Sequence, residues 1–261
     1  MNMPLAMPDR QRVARRFGDA ASAYDDEALA QRESASLLLE GMAFTGRVLD
    51  IGCGTGWMSR RIAETSPQSR VLALDIAKAM LASPALVHPR IRPVCADAAA
   101  LPFADGSIDH IVSNFALQWL PSPVEFAAGL ARVLRQGGGF RLAMPVDGSL
   151  GELKQAWRQV EDIVPLNTFH SAESWVEALR AAGLHIESRP RPVSLFQHYP
   201  TVRHMLRGLK AIGASETPHA RRAGLWGRGK LRALEAAMEP FRTTAGLPLR
   251  YDVLQITGSK P

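Results

Sequence analysis

The sequence lacks the features that mark membrane-spanning, secreted and metal-binding proteins. No apolar run reaches the roughly 18 residues that a transmembrane helix needs. Residues 1–16 contain no apolar stretch long enough for a secretory signal. The only cysteines are Cys53 and Cys95, and no CxxC pair or Cys/His cluster accompanies them. We therefore expect a cytoplasmic protein with reduced thiols, without a disulfide and without a metal site.

Length and composition are those of a globular protein. The chain has 261 residues, 46% hydrophobic and 21% charged, enough for one domain with an elaborated cap. Residues 1–150 hold 15 basic and 15 acidic side chains, whereas residues 151–261 hold 16 and 10. Between residues 203 and 232, eight basic side chains accompany the single acid Glu216. This stretch would attract an anionic partner, although a charge run can equally be a solvated face.

Short apolar runs alternate with helix-like segments from residue 47 onward. The runs predict strands at residues 48–51, 71–74, 91–95, 108–112 and 140–144, with further strands near 184–187 and at 251–257. Segments such as 57–64 and 124–135 have the pattern of helices. This alternation predicts a doubly wound α/β fold, with a Rossmann-like, mostly parallel sheet of seven strands covered by helices on both faces.

The regions outside this alternation are predicted to be helical. Residues 10–40 are amphipathic, and we expect residues 1–45 to form a helical segment that closes over the site. The core is expected at 46–192, with its last strand in 249–261. Residues 193–248 are too many for a simple connection, and parts of them are helix-like. We interpret them as a helical cap over the carboxyl edge of the sheet, where open α/β folds bind ligands.

A glycine-rich loop, Asp50-Ile-Gly-Cys-Gly-Thr-Gly56, follows the first predicted strand and precedes a helix. Its glycines let the backbone turn tightly and approach a ligand closely. Position 57 is Trp57, so the loop departs from the GxGxxG spacing of dinucleotide-binding proteins. Asp50 at the strand tip would repel a pyrophosphate but suits a cation. The loop therefore favours S-adenosylmethionine, which carries an ammonium and a sulfonium group.

Acidic side chains also end the next two predicted strands. Asp75 is placed to accept hydrogen bonds from both hydroxyls of a ribose, and Asp97 to accept one from an adenine amino group. Each acid taken alone could simply cap the following helix. Three acids at the ends of successive strands, together with the glycine loop, favour a nucleoside-binding site.

These features resemble the class I S-adenosylmethionine-dependent methyltransferases over about residues 47–144. The resemblance implies S-adenosylmethionine as the cofactor, but it does not identify the methyl acceptor. The predicted cofactor-binding residues are Asp50, Gly52, Cys53, Gly54, Gly56, Asp75, Ile76, Asp97, Ala98 and Asn114.

Five further segments resemble one family, the malonyl-acyl carrier protein O-methyltransferases of biotin synthesis. They are residues 17–24 (FGDAASAY), 113–119 (SNFALQW), 148–157 (GSLGELKQAW), 209–214 (LKAIGA) and 247–249 (LPL). The resemblance implies methyl transfer to the free carboxylate of a malonyl thioester on acyl carrier protein. A carboxylate is already ionised at pH 7, so the reaction needs no general base. The absence of an evident His/Asp or Cys/His pair agrees with this chemistry.

Candidate acceptor-site residues are Tyr24, Gln118, Trp119, Arg207 and Lys210. Tyr24 is expected to fold over the donor methyl group, and Gln118 and Trp119 follow the fourth strand. Arg207 and Lys210 lie three residues apart, so one of them could pair with the malonyl carboxylate. Tyr24 and Trp119 could instead be ordinary packing residues, and the two cations could be surface charges.

The resemblance also gives the basic stretch at 203–232 a partner, because acyl carrier proteins are acidic. We expect neither a nucleic acid nor a membrane as partner. Three alternatives stay open: methylation of another small carboxylate or a quinone precursor, a basic RNA methyltransferase, and a non-catalytic cofactor-binding scaffold.

Overall fold

A central mixed sheet organises the protein. The computed structural model describes residues 10–20, 24–162, 164–187, 190, 192–212 and 227–261. The strands in this part of the chain are β1 (Gly46–Ile51), β2 (Ser69–Asp75), β3 (Ile91–Cys95), β4 (Ile108–Asn114), β5 (Leu134–Pro145), β6 (His185–Ile186), β7 (Pro192–Tyr199) and β8 (Leu247–Ser259). Their order is β3-β2-β1-β4-β5-β8-β6, and β7 also pairs with β8.

Helices cover both faces of this sheet. They are α1 (Arg10–Ala20), α2 (Tyr24–Glu27), α3 (Leu29–Leu39), α4 (Trp57–Thr65), α5 (Pro123–Val133), α6 (Gly151–Arg158), α7 (Ala172–Ala181), α8 (Val202–Ala211) and α9 (Arg228–Met238). None of these described helices is long and apolar enough to cross a membrane.

The alternation of side chains along the strands divides the core into two clusters. Val48 belongs to one cluster and its neighbour Leu49 to the other, because successive side chains of a strand point to opposite faces. Helices α5 and α7 cover one face, with Phe126 packed edge-on against Trp175. Helices α3, α4, α6, α8 and α9 contribute to the cluster on the other face.

Parallel pairing brings three strand ends to the same edge of the sheet. β1 pairs in parallel with β2 and β4, and β2 pairs in parallel with β3. The loops that follow Ile51, Asp75 and Asn114 therefore lie side by side. β8 runs antiparallel to β5, β6 and β7. The predicted doubly wound, mostly parallel fold is confirmed.

One strand differs from expectation. β7 (Pro192–Tyr199) lies almost entirely in the segment predicted to be a helical cap, so the described sheet has eight strands instead of seven. Leu195, Gln197 and Tyr199 are buried while Phe196 and His198 are exposed, which is the period of a strand with one covered face. Helices α8 and α9 correspond to residues 203–211 and 229–241, the parts of the predicted cap that have a helix-like sequence. The domain boundaries themselves stay a prediction.

Gly258 of β8 packs closely against the neighbouring strand β6 and the ring of Phe140. A Cβ there would overlap the carbonyl oxygen of His185 and the ring of Phe140. We expect Gly258→Ala to lower the free energy of unfolding by about 1–3 kcal/mol, the usual cost of overpacking a core. Gly129→Ala is the matched control, because Gly129 lies in α5 with open space around it and should gain up to about 1 kcal/mol of helix propensity. Urea denaturation of both variants measures this difference, and equal stabilities would contradict the packing argument.

Candidate active site: two clefts at the carboxyl edge of the sheet

The glycine loop connects β1 to α4 and is anchored on β2. The backbone N–H groups of Gly52 and Cys53 both donate to the carbonyl oxygen of Leu74, at 2.8 and 3.0 Å. Gly52 has a φ of +70°, and a Cβ at this position would overlap that of Ala116. Only glycine therefore lets the loop pass this close to the segment after β4.

Asp75 fixes the other side of the loop. Its Oδ2 accepts the N–H of Gly54 at 3.0 Å, and its Oδ1 accepts the N–H of Ala77 at 2.7 Å. Burial raises the pKa of this carboxyl, whereas the backbone hydrogen bonds oppose that rise. Each carboxylate oxygen can accept a second hydrogen bond, so Asp75 can still bind a pair of ligand hydroxyls.

Asp50 is buried beneath the loop. Its Oδ2 accepts the hydroxyl of Ser59 at 2.6 Å, and its Oδ1 is buried without a hydrogen-bond partner among the described residues. Burial raises the pKa of Asp50 to about 7, although the hydrogen bond from Ser59 lowers it. The side chain supports the loop from below and does not line the cleft that the loop forms. Asp50 stays a predicted cofactor-binding residue, with its carboxylate beneath the loop instead of in the cleft wall.

The first cleft lies between the glycine loop, the ends of β2 and β3, and helix α1. It encloses about 680 Å³, including its mouth. Among the predicted cofactor-binding residues, those that line it are Gly52, Gly54, Asp75, Ile76, Asp97 and Ala98. Asp97 also accepts the N–H of Ala99 at 2.9 Å, so the capping role and the ligand-facing position occur together. The other lining residues are Val13, Phe17, Tyr24, Leu74, Ala96, Phe115, Ala116, Trp119 and Leu120.

Besides Asp50, three predicted cofactor-binding residues lie outside the lining of this cleft. Cys53 is buried in the core, and burial raises the pKa of its thiol well above the ordinary value. The amide Nδ2 of Asn114 is turned to the carbonyl oxygen of Gln31, at 2.9 Å. Gly56 caps the N-terminus of α4, with Leu86 directly beside it. Their contact with the cofactor stays a prediction.

The second cleft adjoins the first and shares a wall with it. Four aromatic side chains line both clefts: Phe17, Tyr24, Phe115 and Trp119. The remaining lining residues of the second cleft are Gln31, Gln118, Pro145, Leu150, Asn167, Phe169, Leu209, Ile212 and Tyr251. Ligand groups bound in the two clefts would therefore lie next to each other beside these four rings, which we call the aromatic wall.

The aromatic wall joins the N-terminal helices to the core. The rings of Phe17 and Trp119 meet edge to face with centroids 5.5 Å apart, and Phe17 lies 6.3 Å from the ring of Tyr24. Burial, together with the nearby carboxylates of Asp75 and Asp25, raises the pKa of Tyr24. Its hydroxyl is therefore neutral at physiological pH. Gln118 is buried in the same wall, and its Nε2 donates to the carbonyl oxygen of Phe115 at 2.7 Å.

Helix α8 does not bring Arg207 or Lys210 to either cleft. Both side chains are exposed, whereas Leu209 and Ile212 line the second cleft. The reason is the period of the helix, whose apolar stripe faces the core while its cations share the solvent side. The second cleft is consequently lined without a formally charged side chain among the described residues. Within the same described part, no group of His, Cys, Asp or Glu side chains is arranged to hold a metal ion.

Several lining residues were missed from the sequence. Phe115 has a φ of +52°, which turns its ring between the two clefts. Its position directly after β4 was a usable signal, because ligand-facing residues follow the strands of such sheets. Tyr251 lies within β8 and packs edge-on against Phe115, with ring centroids 5.4 Å apart. Nothing in the pattern of β8 distinguishes this tyrosine from an ordinary core residue.

Comparisons with known proteins agree with this geometry. The family model described as "Methyltransferase domain" matches residues 49–142. A malonyl-[acyl-carrier protein] O-methyltransferase of Dechloromonas aromatica is 35% identical, covering 97% of this chain and 95% of that protein. A bifunctional biotin biosynthesis protein BioHC of Cellvibrio japonicus is 37% identical over 97% of this chain but 51% of its own length. The chain thus spans about half of the bifunctional relative.

Solved structures support the fold. The YcgJ protein of Bacillus subtilis has a TM-score of 0.59 and 20% identity, covering 88% of this chain and 98% of the other. At this identity the likeness concerns the fold alone. The near full-length match to single-function relatives is more specific. On that match, the chain belongs to the malonyl-[acyl-carrier protein] O-methyltransferase family.

Proposed function

We propose that this protein transfers a methyl group from S-adenosylmethionine to the free carboxylate of a malonyl thioester carried on acyl carrier protein. The product, a malonyl methyl ester, would serve biotin synthesis. The observation that carries the proposal is the pair of clefts with a common aromatic wall, in a chain of this family. One cleft offers acids suited to a nucleoside, and the other offers an uncharged pocket for a small acyl group.

The first cleft fits the cofactor. Asp75 would hold the ribose hydroxyls, and Asp97, which lines the same cleft, would accept a hydrogen bond from the adenine amino group. The amino acid end of the cofactor would lie along the glycine loop, where Gly52 and Gly54 line the cleft. When bound, S-adenosylmethionine supplies an electrophilic methyl group on a sulfonium. Asp50, buried below with a raised pKa, would be favoured in its ionised form by a cation above the loop.

The second cleft would position the acceptor carboxylate. Its described lining contains no Asp, Glu, His, Lys or Arg, so it neither repels an anion nor neutralises it with a full positive charge. The acceptor arrives ionised and no proton has to be removed. Holding one carboxylate oxygen in line with the methyl group, away from water, can lower the barrier by several kcal/mol. The aromatic wall, in which Phe17 and Trp119 meet edge to face, would exclude water from the point where the clefts meet.

A methyl-transfer assay tests the proposed function directly. With labelled S-adenosylmethionine, we expect methyl ester to form fastest on malonyl-acyl carrier protein, more slowly on malonyl-coenzyme A, and hardly at all on free malonate. The carrier adds a docking surface that the smaller acceptors lack. Preference for free malonate or for a quinone precursor would contradict the proposal, as would methylation of RNA.

Asp75→Asn should weaken S-adenosylmethionine binding by about 1.5–3 kcal/mol, the range for hydrogen bonds to a charged group. The change keeps the shape of the side chain but removes its charge. Asp109→Asn is the control, because Asp109 also accepts a backbone N–H, that of Arg47 at 2.7 Å, but lines neither cleft. Isothermal titration calorimetry measures both affinities. Equal affinities in the two variants would remove Asp75 from the binding site.

We also propose that acyl carrier protein docks on the outer face of α8 and α9. Exposed cations lie on both helices: Arg203, Arg207, Lys210, Arg228, Lys230 and Arg232. Of these, Lys230 forms an ion pair with Glu161. Arg221 and Arg222 of the basic stretch lie outside the described residues. An acidic carrier on this face would be near the second cleft, because Leu209 and Ile212 lie on the inner side of the same segment.

Such a partner agrees with a cytoplasmic location, as do the free cysteines Cys53 and Cys95.

Charge reversal tests this docking face. Changing Arg203, Arg207 and Arg232 to Glu should lower kcat/KM for malonyl-acyl carrier protein by at least about tenfold, and for malonyl-pantetheine much less. The loss should shrink as salt is raised, since exposed charges are screened beyond about 8 Å at physiological ionic strength.

A matched control reverses Arg61, Arg70 and Arg92, three exposed cations on and near the far edge strands of the sheet. It changes the net charge by the same amount and should leave the preference for the carrier intact. Equal losses in the two triple variants would mean that the effect is one of net charge, and that the carrier docks elsewhere.

A further inference from the structure

The second cleft collects buried polar atoms that have no hydrogen-bond partner among the described residues. They are Gln31 Oε1, Gln118 Oε1, Trp119 Nε1, Asn167 Oδ1 and Tyr251 Oη. Gln31, Gln118, Asn167 and Tyr251 are each at least nine-tenths buried. Buried polar groups are almost always paired, because an unpaired one costs about 1–3 kcal/mol. Five of them in one cleft indicate that a polar ligand completes their hydrogen bonds.

These atoms differ in what they can bind. The indole N–H of Trp119 is a donor only, and the phenol O–H of Tyr251 can donate. The orientation of Gln118 is set by its Nε2, which donates to Phe115, so its free oxygen is an acceptor. The cleft thus offers donors for an anion and acceptors for an amide N–H, such as those of a pantetheine arm.

Of the two donors, Tyr251 is the more buried side chain. Only 4% of its surface is exposed, and its ring is held against Phe115. Burial, followed by the influence of Tyr199 and Tyr24, raises the pKa of Tyr251, so its hydroxyl keeps its proton. Its strand β8 pairs with both β5 and β7, which fixes the position of the ring.

We propose that Tyr251 recognises the malonyl carboxylate by donating a hydrogen bond from its neutral hydroxyl, with Trp119 Nε1 as a second donor. This inference rests on the proposed function and assigns the carboxylate to uncharged donors instead of to a cation of α8. It makes Tyr251 a specificity-determining residue, one that distinguishes a malonyl group from an acetyl group.

Neutral donors suit this reaction better than a guanidinium. The carboxylate must be bound, yet one of its oxygens must attack the methyl group. A full positive charge in a dry pocket would stabilise the ionised acceptor strongly before the reaction, when its negative charge is greatest. A phenol and an indole N–H orient the carboxylate with less of this ground-state stabilisation. The cost is a weaker hold on the acyl group, which the docked carrier would offset.

Equilibrium binding separates this inference from methyl transfer itself. The protein is saturated with S-adenosylhomocysteine, so no methyl group can move, and titrated with malonyl-pantetheine or acetyl-pantetheine. Wild type should bind the malonyl compound more tightly. Tyr251→Phe keeps the ring against Phe115 and should weaken malonyl binding by about tenfold or more, with acetyl binding within about twofold.

Tyr199→Phe is the matched control. Tyr199 is another buried tyrosine, on β7, which pairs with β8, but it lines neither cleft and lies against Gly208. It should leave both affinities unchanged. Trp119→Phe removes the second donor while keeping an aromatic ring beside Phe17, and it should also reduce the malonyl preference. Thermal unfolding of each complex verifies the fold.

The outcomes are distinct. A Tyr251→Phe protein that keeps the wild-type preference for malonyl would overturn the role of Tyr251 while leaving the proposed function intact. A wild-type protein without any preference for malonyl over acetyl would overturn the proposed acceptor and this inference together. Loss of malonyl preference in Tyr251→Phe, but not in Tyr199→Phe, supports the inference.

Discussion

The carboxylate of Asp75 is the interaction on which the site depends. It accepts hydrogen bonds from the N–H of Gly54, in the loop after β1, and from the N–H of Ala77, in the turn after β2. One side chain therefore sets the spacing of two neighbouring loops, each following a parallel strand. Its burial is unfavourable for the charge and raises its pKa, but the two N–H groups compensate for lost water. The glycine loop takes its position from this carboxylate, and the first cleft takes its shape from the loop.

The second structural constraint is the turn at Phe115. Its left-handed backbone costs a non-glycine residue roughly 1–2 kcal/mol, and the surroundings compensate for it. The N–H of Phe115 donates to Ala143 at 2.8 Å, its carbonyl oxygen accepts from Gln118, and its ring packs against Tyr251. The strained residue thus divides the space above the sheet into two clefts that remain in contact. Strain at such a position is common where a chain must aim a side chain at a ligand.

The sequence predicted more of the first cleft than of the second. The acids and glycines of the first cleft follow strands, and parallel strands bring their carboxyl ends together, so position in the chain implies position in space. The second cleft draws Gln31 from α3, Asn167 from a loop, Ile212 from the end of α8 and Tyr251 from β8. No local spacing relates these residues. The sequence left open whether the cations of α8 reach the acceptor or lie at the surface. In the structure the helical period turns Leu209 toward the second cleft, and the cations lie on the exposed side.

Helix α8 therefore carries its charged side chains on the exposed side, whereas the side chains that it turns toward the second cleft are uncharged. The exposed side of α8 carries cations that act over distances of several ångströms, and it can attract an acidic macromolecule before contact. Its inner side and the neighbouring strand β8 present apolar and neutral polar groups to the second cleft. If cations lined the pocket as well, the acceptor anion would be held by the strongest charge available and would lose reactivity in the ground state. In the proposed reaction, this separation would let affinity come from docking of the carrier and orientation of the carboxylate from uncharged hydrogen-bond donors.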